Sequence, residues 1–135
     1  MKEITMDAKV ENIDIITDDL NVWFEENGVS TKSILQLDVA IDEILSNIAF
    51  YAYGDGEGDM TVKADKINGG KTVRLTFMDR GVYFDPLKKE DPDITLSAEE
   101  RKIGGLGIFM VKKSMDQVSY ERRDDTNILV IEKNL

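Results

Sequence analysis

The chain has 135 residues, a formal net charge of −10 at pH 7, and neither cysteine nor histidine. This length suits a single domain with a substantial core. The missing residue types exclude a disulfide framework, a thiolate metal site and a phosphohistidine on this chain, and they remove the commonest general base. The acidic balance argues against nucleic acid as a partner, because phosphate neutralisation needs a basic face.

Membrane association is also not expected from the sequence. No apolar run approaches the roughly 20 residues that a membrane-spanning helix needs. The opening sequence MKEITMDAKVEN lacks the charged and then apolar pattern of a signal peptide. We therefore expect a cytoplasmic protein.

The first half of the chain predicts a short strand followed by two helices. Residues 3–7 have β character, and apolar residues keep helical spacing over residues 10–27. Gly28 is suited to end that first helix. A Ser-Thr pair at its start can cap the second helix, which extends over about residues 30–53.

The second half predicts four strands and one helix. Alternating apolar residues over 60–64 and 73–77 flank INGGKT, a hairpin signal. Residues 80–103 are irregular and charged, with one helical turn at SAEER. A glycine-rich loop then enters a helix in GGLGIFMVKKSMDQV, and two strands follow around a turn at Asp124-Asp125.

The predicted element order is β-α-α-β-β-lid-α-β-β, with no interdomain linker. Strands joined by hairpins, with the helices grouped apart, indicate an α+β protein. We expect one domain over residues 1–135, a two-layer sandwich with helices on one face of a mainly antiparallel mixed sheet.

Two polar residues interrupt the apolar pattern of the second helix. Glu43 and Asn47 lie four residues apart, so they fall on one side of the helix, at the flank of its apolar stripe. They could be ordinary solvated residues. Alternatively, the Asn47 amide oxygen could bind Mg²⁺ and the Glu43 carboxylate could act as a general base. That second interpretation requires a nucleotide phosphate nearby.

Two further stretches could supply a nucleotide site. In MDRG, Asp79 ends a strand and Gly81 follows, so the carboxylate could accept a hydrogen bond from the adenine amine while the glycine lets the backbone approach the base. A plain strand-to-turn exit explains the same residues. GGLGIFMV places three glycines before a helix, where backbone N–H groups favour anions. A hinge is the alternative there.

In combination, these motifs have a recognisable order. E-x-x-x-N on a helix, D-x-G after a strand and G-x-G opening a helix resemble the N, G1 and G2 boxes of the ATP-binding fold shared by gyrase and histidine kinases, the Bergerat-type fold. Within this superfamily, three stretches of the sequence are most similar to bacterial anti-sigma-factor serine kinases: AIDEILSNIAFYAY, DRGVYFDP and GGLGIFMVKKSMDQVSY. The resemblance covers nearly the whole chain.

The resemblance implies roles for specific residues. The N-box glutamate of that family is the general base and its asparagine binds Mg²⁺, which falls on Glu43 and Asn47. The G1 aspartate recognises adenine, which falls on Asp79, with Gly81 beside it. ATP and Mg²⁺ are therefore the implied cofactors.

The resemblance also implies an ATP lid over about residues 87–107. Arg101 or Lys102 within it could reach a phosphate. The glycines that would wrap the phosphates are Gly104, Gly105 and Gly107.

Two positions depart from the family's pattern. Tyr83 stands where many relatives in the wider superfamily have a glycine or another small residue. The last nucleotide-box position, often a threonine before the final strand, could be filled by Thr126 or by Asn127, and the sequence does not choose between them.

The activity implied by the resemblance is ATP-dependent phosphorylation of a serine on an anti-anti-sigma (STAS-type) partner, by a protein that also sequesters a sigma factor or another regulator. A nucleotide-gated binding module without kinase activity is the main alternative. A histidine-kinase fragment and an α+β domain without nucleotide are further alternatives. Relatives often form homodimers through the sheet edge and first helix; the aromatic pair Trp23 and Phe24 would permit this, and burial in the core explains the pair equally well.

Overall fold

The structure is a computed structural model that describes residues 1–88 and 106–135. Short 3₁₀ turns occupy Val10–Asn12 and Pro86–Lys88, and a π-helical turn at Ile48–Ala52 continues the second helix. The regular elements in chain order are β1 (Lys2–Asp7), α1 (Ile13–Glu26), α2 (Thr31–Asn47), β2 (Asp59–Ile67), β3 (Thr72–Asp79), α3 (Leu106–Ser114), β4 (Gln117–Arg123) and β5 (Thr126–Asn134).

The five strands form one sheet in the order β1-β2-β3-β5-β4. Every pairing between these strands is antiparallel. The predicted α+β class with a mainly antiparallel sheet is confirmed, and in the described part of the chain the sheet contains no parallel pair.

Both predicted hairpins are present, and their turns show why these sequences form them. The β4–β5 turn places Asp124 and Asp125 at φ values of 53° and 60°, the left-handed conformation that a tight two-residue hairpin requires. In the β2–β3 turn, Asn68, Gly69 and Gly70 have φ values of 55°, 69° and 84°. Asparagine, aspartate and glycine tolerate this conformation better than other residues do.

The two long helices begin and end close to the predicted positions. The Ser30 side chain caps α2 by accepting a hydrogen bond from the Ser33 backbone N–H at 3.2 Å. Gly28, with φ of 74°, follows the end of α1. The sequence predicted one continuous second helix to about Tyr53, whereas the last turn is π-helical. Such widened turns occur frequently at functional sites.

The helices cover one face of the sheet, and the core lies between the two layers. Its members come from all three helices and from the inner face of β2, β3 and β5. Phe24 is fully buried in this core and Trp23 packs partly buried against it, so burial within the domain accounts for the aromatic pair. Of the helices described, none is long and apolar enough to cross a membrane.

Candidate functional site

A cavity of about 460 Å³, counting the space at its open mouth, lies between the end of α2 and the inner face of the sheet. The mixture of apolar walls with a few polar groups is typical of small-molecule sites. The polar side chains in its lining are Asn47, Asp79, Tyr51, Tyr120 and Asn127. The apolar lining comprises Ile44, Ile48, Ala52, Phe77, Val82, Phe84, Pro86, Ile108 and Leu129.

Asp79 sits at the end of β3 and is only 9% exposed. Its Oδ1 accepts hydrogen bonds from the Gly81 backbone N–H at 2.9 Å and from Asn127 Nδ2 at 3.0 Å. The first bond is the local turn that an aspartate commonly makes two residues ahead. Asp79 Oδ1 is the acceptor in both hydrogen bonds, and Oδ2 takes part in neither of them.

Gly81 is fixed by a close contact with the end of α2. A Cβ at this position would overlap the Ala52 carbonyl group, and the next residue, Val82, donates its backbone N–H to the Ala52 oxygen at 2.7 Å. The sequence suggested that this glycine lets the backbone approach a base, which stays a prediction. In the structure the neighbour that excludes a side chain is the protein backbone, which holds the loop after β3 against α2.

Glu43 and Asn47 are in direct contact one helical turn apart. Asn47 Nδ2 donates to Glu43 Oε1 at 3.3 Å. Because the amide nitrogen faces the carboxylate, Oδ1 is the Asn47 atom that could ligate a cation. Asn47 lines the cavity, whereas Glu43 lines an adjacent groove between α2 and α3.

The first turn of α3 packs directly on Glu43. A Cβ at Gly107 would overlap the Glu43 carboxylate, so only glycine fits here without a shift. The carboxylate thus lies at the helix end where the dipole and unpaired N–H groups favour negative charge. Of the other predicted glycines, Gly104 and Gly105 lie outside the described residues. The structure also does not describe Arg101, Lys102 or the SAEER turn. Of the predicted lid, it describes only residues 87–88 and 106–107.

The structure distinguishes the two residues proposed for the last nucleotide-box position. Asn127 is paired with Asp79 in the β3–β5 register, is 6% exposed and lines the cavity. Thr126 lies at the rim of a different, open depression and is not part of the cavity lining. The alternation of Asn127, Leu129 and Ile131 on the core face is the sequence signal that could have identified the asparagine.

Several residues around the cavity were not predicted from the sequence. Tyr120 and Arg122, on β4, both contact Asn127. Tyr53 lies behind the loop after β3, where its hydroxyl accepts the Arg80 backbone N–H at 3.0 Å. Tyr83, which departs from the family's pattern, is 52% exposed and packs edge-on against Tyr120. It does not line the cavity, whereas the next residue, Phe84, does.

The described residues contain no group of three or more carboxylates that could hold a metal ion by themselves. If Asn47 bound a metal ion, it would supply one ligand and leave the others to groups outside the described side chains. Mg²⁺ is commonly held by one or two protein oxygens together with substrate phosphates and water. Among the described residues, the site offers no protein-only metal centre, and its amide oxygen would suit a magnesium ion that is bound together with phosphates.

Comparison with known proteins identifies the family. The model of the histidine kinase-like ATPase domain matches residues 6–133. The chain belongs to this family, whose name implies ATP binding.

The individual relatives are serine kinases. The serine-protein kinase RsbW of Listeria monocytogenes is 29% identical, over 85% of this chain and 75% of its own length. RsbW of Oceanobacillus iheyensis is 27% identical over 95% and 83%, and the serine/threonine-protein kinase BtrW of Bordetella bronchiseptica is 27% identical over 81% and 79%. The resemblance to this kinase family that the sequence motifs predicted is confirmed.

A solved structure shows the same fold. The crystal structure of the RsbU and RsbW domains of a Mycobacterium tuberculosis protein superposes with a TM-score of 0.65 at 16% identity. The match covers all of this chain and 33% of the solved chain, so this chain spans about a third of that protein.

Proposed function

We propose that this protein is an ATP-dependent serine kinase that phosphorylates an anti-anti-sigma partner in a partner-switching pathway. The observation that carries the proposal is the contact between Glu43 and Asn47 on one helix, with Asn47 facing the cavity and Glu43 beside the start of α3. The names of the similar RsbW and BtrW proteins support the same activity.

The cavity suits the adenine ring of ATP. Phe77, Leu129 and Ile48 provide apolar surface for the flat base. Asp79, nearly buried, can only accept hydrogen bonds as a carboxylate and would take one from the exocyclic amine of adenine. Contact of the base with these side chains would contribute to the binding free energy.

The residues beyond the base would handle the phosphates. Asn47 Oδ1 would hold a magnesium ion, which neutralises charge on the phosphates. Glu43 would orient the serine hydroxyl of the partner and accept its proton. Backbone N–H groups of Gly107 and of the preceding glycines, Gly104 and Gly105, would donate to the phosphoryl oxygens as negative charge builds there.

Calorimetry of ATP binding, with and without Mg²⁺, tests the site. We expect magnesium-dependent binding by the wild type that Asn47→Ala weakens, whereas Ser46→Ala, a change at the preceding residue, leaves it intact. A folded wild-type protein that does not bind ATP would overturn the proposal.

Phosphotransfer is tested separately with Glu43→Gln. This variant should bind ATP like the wild type, yet phosphorylate a STAS-type partner about 10²- to 10⁴-fold more slowly, the range for loss of a general base. The matched control is Asp42→Asn, which removes a neighbouring carboxylate from the same helix. Equal phosphorylation rates for Glu43→Gln and Asp42→Asn would show that Glu43 has no part in the reaction.

One observation favours a second candidate function, a nucleotide-gated module that sequesters a regulator without kinase activity. Glu43 lines the groove between α2 and α3, not the cavity itself. Binding of ATP without phosphorylation of any STAS-type partner, together with nucleotide-dependent binding of a sigma factor or another regulator, would support this alternative.

We also propose a cytoplasmic protein that forms a homodimer through the sheet edge and first helix. Strand β1 is an edge of the sheet and packs near α1, where Lys2 and Asp19 form an ion pair at 3.3 Å. Light scattering after size-exclusion chromatography distinguishes a dimer from a monomer.

A further inference from the structure

An open groove runs between α2 and α3, next to the cavity. Its described lining comprises Asp38, Val39, Asp42, Glu43, Gly107 and Met110. Glu43, the proposed base, lines this groove, while Asn47 one turn further along α2 lines the cavity. A nucleotide in the cavity and a protein substrate in the groove would therefore reach this pair of residues from two sides.

Two apolar side chains in the groove are largely open to water. Val39 of α2 is 60% exposed, and Met110 of α3 is 50% exposed. Each lies about one helical turn from the contact between Glu43 and Gly107, since Val39 precedes Glu43 by four residues and Met110 follows Gly107 by three. A single exposed apolar side chain is ordinary on a protein surface, whereas two that share a groove with a candidate base indicate a contact surface.

The charge along the groove is negative. Asp38, Asp42 and Glu43 are the charged residues of its described lining, and all three are carboxylates. Asp42 is exposed, and the other two are half-buried. An apolar surface bordered by carboxylates is complementary to a segment that carries an apolar and a basic side chain. An acidic segment would be repelled for the same reason.

We propose that the groove between α2 and α3 is the docking site for the phosphoacceptor segment of the protein substrate. This inference rests on the proposed function, since it requires Glu43 to act on a serine hydroxyl. The serine would lie at Glu43, and an apolar side chain near it would pack between Val39 and Met110. A basic side chain of the same segment would face the carboxylates. The groove then selects a substrate by the residues that flank its serine.

The spacing along α2 limits where the apolar side chain stands in the substrate. Four residues of α-helix, the separation of Val39 and Glu43, rise about 6 Å. Two residues of extended chain cover about 6.6 Å, and three or four residues of a helix cover about 4.5–6 Å. The apolar residue should therefore stand about two residues from the serine in an extended segment, or about three to four in a helical one.

The test is steady-state phosphorylation of a STAS-type partner by variants at Val39. Val39→Arg removes apolar surface and adds a positive charge, so we expect KM for the partner to rise at least about tenfold, the equivalent of about 1.4 kcal/mol. Val39→Gln removes the apolar surface alone and should raise KM by a smaller factor. The matched control is Leu35→Arg, one turn earlier on α2, at a residue that is 62% exposed and outside the described lining of the groove. It should leave KM unchanged.

Three further readouts separate docking from other effects. Met110→Arg should raise KM as Val39→Arg does, because it changes the facing wall of the same groove. ATP affinity, measured by calorimetry, should be the same in every variant, since none of the three positions lines the cavity. KM of the wild type should rise with ionic strength, because salt screens exposed charges. Since docking acts through KM, rates at saturating partner, as compared between Glu43→Gln and Asp42→Asn, report the chemical step.

The outcomes distinguish this inference from the proposed function. Equal KM values for Val39→Arg and Leu35→Arg, in proteins that bind ATP like the wild type, overturn the inference and leave the proposed function standing. Equal KM values for Val39→Arg and Val39→Gln also overturn it, because the charge of the groove would then play no part in docking. A wild type that phosphorylates no STAS-type partner overturns the inference together with the proposed function.

Discussion

The backbone of Gly107 rests directly on the carboxylate of Glu43, so the start of α3 and the middle of α2 meet at the side chain proposed as the base. The apolar residues of α3 that follow, Ile108 and Val111, are buried. Their burial fixes the helix, and the helix in turn limits where the carboxylate can lie. The position of Glu43 therefore depends on how closely a residue far along the chain can approach it.

Gly107→Ala should move the Glu43 carboxylate without unfolding the protein. The added methyl group overlaps the end of a flexible side chain, which can turn away, and alanine favours the helix more than glycine does. Displacing a reacting group by about 1 Å can slow a reaction about 10²-fold. We expect a phosphorylation rate lowered by about that factor, with a thermal midpoint close to that of the wild type.

A matched substitution on the same helix, Ser114→Ala, is the control for Gly107→Ala. It should leave the phosphorylation rate unchanged. Wild-type phosphorylation by Gly107→Ala would show that the contact with Glu43 has no part in the reaction.

Gly81→Ala should instead destabilise the fold. The methyl group here meets the Ala52 carbonyl, which is backbone and cannot turn away. Overpacking of this kind typically costs about 1–3 kcal/mol. Urea denaturation should give a lower free energy of unfolding, and ATP binding should weaken because Asp79 lies two residues away. Gly69→Ala, in the β2–β3 turn, is the comparison. Its added methyl group meets no atoms within 4 Å, so any loss of stability comes from the φ of 69° alone. This variant should keep the wild-type affinity for ATP.

The hydroxyl group of Tyr53 should contribute measurably to stability. It accepts the Arg80 N–H at 3.0 Å and donates to the Asp59 carbonyl, joining the loop after β3 to the start of β2. Tyr53→Phe leaves both backbone groups without this partner, which should lower the free energy of unfolding by about 1 kcal/mol. Tyr51→Phe, at a residue that is 62% exposed, should not change it. Equal urea midpoints for the two variants would contradict the assignment.

Asp38 should make stability depend on pH. Burial raises the pKa of its carboxyl above the ordinary value of 3.8, and Asp18 raises it further, although the hydrogen bond from Asn21 at 2.7 Å acts in the opposite direction. A raised pKa in the folded state means that ionisation costs more there than in the unfolded chain. The contribution of Asp38 to the free energy of unfolding is therefore most favourable below pH 3.8. It is lost as the pH rises through the raised pKa of the folded state.

Asp38→Asn should consequently raise the urea midpoint at pH 7, because the amide carries no charge and its oxygen can still accept from Asn21. The gain should shrink as the pH is lowered towards 3.8. Asp42→Asn, at an exposed position of the same helix, provides the comparison. A lower midpoint for Asp38→Asn at pH 7 would mean that the charged form is favoured by the fold.

Local sequence patterns predicted the elements of this protein well. Helical spacing, a serine cap, glycines after helices and turn residues with left-handed φ values are all local, so the sequence contains the cause of each. The N, G1 and G2 motifs pointed correctly to the family for a similar reason: each requires a few residue types at a short, fixed spacing. The π-helical end of α2 was not predicted, because apolar spacing does not distinguish a widened turn from a regular one.

The tertiary structure decided which of these residues meet. Only the β3–β5 register places Asn127, and not Thr126, beside Asp79, and a shift of one residue would exchange them. Likewise, the sequence could indicate that Gly81 and Gly107 matter, but not that their neighbours are Ala52 and Glu43. By itself the sequence determined the family and most of the described secondary structure, because both depend on local spacing. The contacts of the site required the folded chain, because they join residues from distant segments.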